Sequence, residues 1–211
     1  MVGLCPDLHL VPLAPGVQRA FDAAVAAVRA AGAELREVAL PEARAILPTF
    51  GVTQRAEALH AHREAGLYPA RAGEYGADVR ARLELAATED AGDYLRAAAE
   101  RERTRAAFRR LFAEVDLLLT PVGACTAVPI DADRVEHLGQ RSDPRDLIMP
   151  YTTPQDLAGL PACAVRAGFD EHGLPVAVQL TGAQWDDARV LGAAHALFEA
   201  TPAIQERWPG A

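Results

Sequence analysis

The 211-residue chain contains no lysine, so all 21 of its basic residues are arginine, and it contains a single serine, Ser142. A mechanism that needs a lysine base or a pair of serines is therefore excluded within these residues. Cysteine is scarce too: Cys5, Cys125 and Cys163 are widely spaced, odd in number and without any CxxC. Neither a disulfide framework nor a zinc ribbon is indicated, and a reducing cytoplasm is the expected compartment. No apolar run approaches the roughly 18 to 20 residues that cross a bilayer. Residues 1–10 have neither the basic start nor the long apolar stretch of a secretion signal, so no membrane partner is expected. Basic residues are outnumbered by 29 acidic ones, leaving a formal charge of −8, which argues against nucleic acid as a partner. GxSxG and GxxxxGK(S/T) are missing, which removes the hydrolase-elbow and phosphate-loop readings.

What is present is a globular composition. Alanine supplies 45 residues, while Leu, Ile, Val and Phe together supply 50, above the disordered range. The length suits one unit over residues 1–211. Val2-Gly3-Leu4 reads as a short strand, and Val17, Phe21, Ala24, Val25 and Val28 form a helical stripe that Gly32 closes. Residues 33–40 then read as a second strand, giving a parallel crossover. Helices are expected over 49–65, 74–87 and 88–115, with a loop over 66–73. Along the last of these, arginines and glutamates mix as a solvated face with i,i+4 ion pairs. Residues 116–121 form a buried strand type stopped by Pro121, and a long irregular stretch is expected from there to Pro150. Strands over 162–165 and 175–181 make a hairpin around Asp170-Glu171-His172-Gly173, and a last helix spans 185–200. The strands 116–120 and 162–165 look central, buried on both faces.

Isolated chemical candidates are weak. Glu57 and His60 form a single Glu-x-x-His where a di-metal site needs two copies, and His60 and His62 point apart on a helix. Asp131 and Asp133 fall short of a calcium loop. Cys163 could pair with His172 or His195 as a nucleophile, but nothing in the sequence places either base beside it, and it reads as a small core residue. No metal and no cofactor are implied. The informative run is Tyr151-Thr152-Thr153-Pro154-Gln155-Asp156-Leu157-Ala158-Gly159-Leu160-Pro161, with Gly173-Leu174-Pro175-Val176-Ala177-Val178-Gln179 after it. Read physically, it is a turn or short helix set by Pro154, followed by a hairpin with glycine and proline at its corners.

At these residues the chain resembles the C-terminal half of the amidase signature family, serine hydrolases of amides, whose pattern is Thr-x-Pro-x-Asn-x-x-Gly-x-Pro and then Gly-Leu-Pro-Val-x-x-Gln. The resemblance extends back through Asp93-Tyr94-Leu95, Arg101, Phe112 and Asp116-Leu117-Leu118-Leu119-Thr120-Pro121 to the helix beginning at Val17. It implies an α/β fold, a mixed β-sheet flanked by helices, forming the C-terminal part of the amidase signature fold. In that family a lysine and two serines do the chemistry, and all three lie in the N-terminal half. The resemblance therefore implies no catalytic residue here.

It does imply a small-molecule amide as ligand, with Thr152, Thr153 and Asp156 at the substrate and Arg82 holding a carboxylate through its bidentate fork. For Arg82, an ordinary surface ion pair is an equal reading. Three departures stand out: Met149 occupies the position of an acidic residue, Asp156 that of the asparagine, and Arg166 that of a proline near a strand end. Two functions stay open: one half of an amidase, whether truncated or split from its other half, and a non-enzymatic partner- or ligand-binding module. The expected partners are a complementary N-terminal amidase chain or a second copy, because the central strands would pair with strands not contained here.

Overall fold

Pro15 occupies the first turn of helix α1 (Pro15–Ala30), where its missing N–H costs nothing, and Val17, Ala20, Phe21, Ala24 and Val28 are its buried stripe. In the computed structural model, which describes residues 1–207, this helix connects two parallel strands, β1 (Val2–Leu4) and β2 (Leu35–Glu37), with Val2 opposite Leu35. The expected crossover is therefore present, with β2 shorter than the apolar pattern over 33–40 suggests. Helix α2 (Ala43–Glu64) begins six residues before the expected Thr49 and runs through Pro48. Burial of Ala43, Ile46 and Phe50 in one cluster outweighs the hydrogen bond that Pro48 removes. Helices α3 (Ala77–Ala86) and α4 (Ala91–Leu111) follow. Asp90 and Asp93 cap α4 reciprocally, the Asp93 amide donating to Asp90 Oδ1 at 2.7 Å.

The next segment departs furthest from expectation. Strand β3 (Leu117–Pro121) is buried along its whole length. The stretch beyond it is not irregular throughout: β4 (Val135–His137) and β5 (Gln140–Ser142) form a hairpin, and helix α5 spans Pro144–Ala158. The hairpin turn uses Leu138 and Gly139, both at positive φ. That backbone matches a two-residue hairpin, but leucine is an unusual residue for it and leaves no signal. Ser142 therefore lies on a ribbon strand. Strands β6 (Ala162–Phe169) and β7 (Pro175–Gly182) form the expected hairpin, followed by α6 (Asp187–Glu199) and the short α7 (Pro202–Gln205).

The main sheet has the order β2-β1-β3-β7-β6, with β1, β2 and β3 parallel and β7 and β6 antiparallel to their neighbours. It is a mixed α/β sheet flanked by helices. On one face, α1 and α6 pack Phe21, Val28, Val190 and Leu197 against Leu117, Leu119 and Leu180. On the other, α2, α4 and α5 pack Ile46, Phe50, Phe108 and Leu157 against Leu118. Residues 117, 118 and 119 thus alternate between two apolar layers, which is why β3 reads as a continuous hydrophobic run. Among the described residues β6 lies at the sheet edge with β7 as its one partner, and Ala162 and Ala164 are exposed, so 162–165 is not buried on both faces here. A row of small residues does not distinguish an edge from a core strand.

Candidate functional site

Helix α5 carries three of the four residues expected at a ligand, and it is held in an unusual way. Pro150 and Pro154 both lie inside it, and neither can donate to a carbonyl one turn back. Neighbouring side chains supply hydrogen bonds along this stretch. Gln179 Nε2 on β7 donates to Tyr151 O at 2.6 Å and to Pro121 O at 3.2 Å. The buried Gln155 amide lies between Tyr151 O, Thr152 O, Thr181 Oγ1 and Gln179 Nε2. The orientation that satisfies all four has its nitrogen donating to both carbonyls at 3.1 Å, and its oxygen accepting from Thr181 at 3.2 Å and from Gln179 at 3.3 Å. The Tyr151 hydroxyl donates to Val11 O, and burial pushes its pKa up to about 12. Arg101 Nε donates to Leu157 O at 3.0 Å in the last turn, and Gly159, at φ 71, closes the helix in the left-handed region.

The N-terminal part of α5 borders a cleft of about 200 Å³ beyond the carboxyl end of β3, lined by Val17, Val122, Cys125, Thr126, Ile148 and Val176. Carboxyl ends of parallel strands are where α/β sheets commonly receive ligands. The cleft is mostly apolar. Burial pushes the Cys125 thiol up, so it is not a thiolate nucleophile at neutral pH. Asp170 anchors one wall. Partial burial alone would raise its pKa, but the Thr126 hydroxyl at 2.7 Å and the Leu174 and His172 amides more than offset this and hold the carboxyl below its ordinary range.

The four expected ligand contacts are not brought together. Thr152 is half-buried and Asp156 exposed, one turn apart on the same side of α5. Thr153 is buried, and its hydroxyl donates to Met149 O at 2.8 Å. Arg82 lies on α3, which packs on α2 through Leu83, Ala86 and Leu59. It is exposed and pairs with Asp78 at 3.4 Å. None of the four lines the cleft at β3. Among the other candidates, Glu57 accepts from Arg101 at 3.0 Å, and His62 Nδ1 hydrogen-bonds Tyr75 at 2.8 Å. Among the described residues no three His, Cys, Asp or Glu side chains are grouped to hold a metal. The arginines of α4 pair at i,i+3 spacing, as in Asp93–Arg96 and Glu100–Arg103, while Arg110 reaches across to Glu42, the residue just before α2.

The residues that sequence reasoning passed over are Gln155, Gln179 and Tyr151. One signal points to them: Gln179 interrupts the buried Val178 and Leu180, and a buried amide requires partners.

The amidase family model matches residues 1–191, more than nine-tenths of the described chain. The chain belongs to the amidase signature family. It is 32% identical to the glutamyl-tRNA(Gln) amidotransferase A-subunit of Geotalea daltonii over 95% of this chain and 45% of that protein. To its counterpart in Neisseria gonorrhoeae it is 34% identical over 85% of this chain and 40% of that one. A crystal structure of an amidase superimposes with a TM-score of 0.83 at 31% identity, covering 94% of this chain and 45% of the other. The chain thus spans a little under half the length of the relatives it matches.

Proposed function

We propose that these residues supply the C-terminal half of the sheet and one wall of the acyl pocket of an amidase-signature amide hydrolase, and that the lysine and serines of the reaction lie on a stretch of polypeptide outside them. One observation carries this reading: the family match runs in order through residues 1–191, while the sequence holds no lysine and only Ser142. Groups that act as a unit fail together, so a scaffold without its nucleophile and base retains no amide chemistry of its own. That the amidotransferase relatives are themselves subunits supports a partner chain or a larger assembly. The ligand is a small-molecule amide, and the compartment is the cytoplasm. At the site, Thr152 and Asp156 are the groups free to meet a substrate, whereas Thr153 already spends its donor on Met149 O. Arg82 belongs to the site only if closure of the assembly draws α3 toward α5. No cofactor enters.

The test is complementation. Mixing this chain with a polypeptide carrying an amidase Gly/Ser-rich signature and its lysine is expected to produce ammonia from a carboxamide. Stable binding of the amide with no turnover in the mixture would instead favour a non-enzymatic ligand-binding module.

A further inference from the structure

The outward face of α5 changes character along its length. Ile148 and Asp156 are exposed and Thr152 is half-buried between them, while Leu147, Tyr151 and Gln155 are buried behind this line. Four helical residues rise about 6 Å, so an apolar side chain, a hydroxyl and a carboxylate follow one another at that spacing. Ile148 stands at the cleft beyond β3. The cleft is built and held by this chain's own backbone. The Ala124 amide donates to Leu147 O on α5 at 2.7 Å, and the Ala14 amide, just before α1, donates to Ala124 O at 2.8 Å. Val17 from α1 and Val176 from β7 add to its apolar lining.

Charge around the cleft is set against an anionic ligand. Among the described residues no charged side chain lines it, and its one hydroxyl, Thr126, donates to Asp170 Oδ2 at 2.7 Å. The Asp170 carboxyl also accepts from the His172 and Leu174 amides, so a negative charge stands one hydrogen bond behind the wall. Arg82, the residue expected to hold a carboxylate, lies on α3 and pairs with Asp78. A carboxylate entering the cleft would lose its hydration and meet no cation. An apolar group carries no such cost: a dry apolar cavity of roughly 150 Å³ takes up benzene, and this cleft measures about 200 Å³.

We propose, resting on the reading of these residues as half of an amidase, that this cleft is the acyl subsite, that it takes an uncharged amide whose acyl group is apolar and about the size of a benzene ring, and that Ile148 determines this preference. With the ring beside Ile148, the carboxamide lies one turn along α5 at the Thr152 hydroxyl, open to the polypeptide that carries the lysine and serines. Glutamine is disfavoured, because neither its ammonium nor its carboxylate finds an ion-pair partner among the lining residues.

Cys125 lines the same cleft and reports its occupancy without any turnover. The full chain is labelled with N-ethylmaleimide at mildly alkaline pH in a concentration series of phenylacetamide or of glutamine, and each cysteine is followed by peptide mass spectrometry. Phenylacetamide at about ten times its Kd is expected to slow Cys125 labelling about tenfold and to leave Cys163, outside the cleft, unchanged. Glutamine is expected to leave both unchanged. Ile148→Asp, at an exposed position, is expected to weaken phenylacetamide binding about tenfold or more, while Ile148→Leu retains it. The proposal is overturned if phenylacetamide does not slow Cys125 labelling, if glutamine protects equally, or if Ile148→Asp is protected as well as wild type. When the chain is mixed with a polypeptide carrying the Gly/Ser-rich signature and its lysine, kcat/KM for phenylacetamide is expected to exceed that for glutamine at least about tenfold. A mixture that prefers glutamine overturns the acyl assignment and leaves the half-amidase reading standing. An inert mixture in which phenylacetamide still protects Cys125 removes the half-amidase reading and upholds the apolar site.

Discussion

Helices α1 and α5 both start at a proline and lie on opposite faces of the same sheet, yet different interactions hold them. α1 is fixed by an apolar stripe, Val17, Phe21, Ala24 and Val28, and needs no side-chain hydrogen bond to the sheet. α5 contains two prolines in its body and is fixed by amides: Gln179 from β7 and its own Gln155, both buried and both partnered. The first mode is non-directional and tolerant of small shifts. The second sets the position of α5 to within hydrogen-bond distance, and so sets Ile148 and the cleft wall that this helix presents.

That contrast can be broken or sharpened by mutation, beginning with the largest effect. Phe21→Ala should cost about 3–5 kcal/mol in denaturant unfolding, and neighbouring apolar truncations on α1 should add to it nearly independently where they do not touch. Gln179→Leu should cost about 2–3 kcal/mol, because Tyr151 O and Pro121 O each lose one donor and the buried Gln155 oxygen keeps only Thr181. Gln155→Leu should cost a similar amount, and the double variant should fall short of the sum by about 1 kcal/mol. Strict additivity would show that the two amides do not act as one fastening.

The smallest effect lies at a single ring that touches a residue of each helix. The His9 ring sits 5.3 Å from Phe21 and 6.0 Å from Tyr151, centroid to centroid, and burial lowers its pKa below the ordinary 6.5. The unfolded chain therefore binds the proton more readily than the folded one. Stability should be full above about pH 6.5 and decline as pH falls toward the folded-state pKa. His9→Gln should flatten that decline in urea titrations between pH 7 and pH 5.

The same contrast explains what was legible in the sequence. The β1–α1–β2 unit, β3 and the β6–β7 hairpin follow from apolar periodicity and corner residues, since burial leaves a repeat in the sequence. α5 does not. Proline at positions 150 and 154 reads locally as a turn or short helix, and the contacts that override it come from residues 26 and 28 positions away along the chain. Pro48 obscures the start of α2 in the same manner. The side chains that the family motifs lead one to expect at a ligand, Arg82, Thr152, Thr153 and Asp156, are divided between two helices, α3 and α5. Sequence spacing does not encode which of them remains free of internal partners.

The most direct measurement is ammonia release from a simple carboxamide by the purified 211-residue chain alone, run beside its Ser142→Ala variant. Both should be indistinguishable from buffer, because neither holds a base and a nucleophile that can act together. Steady turnover by the wild-type chain, whether or not the variant keeps it, would contradict the claim that the hydrolytic machinery lies elsewhere.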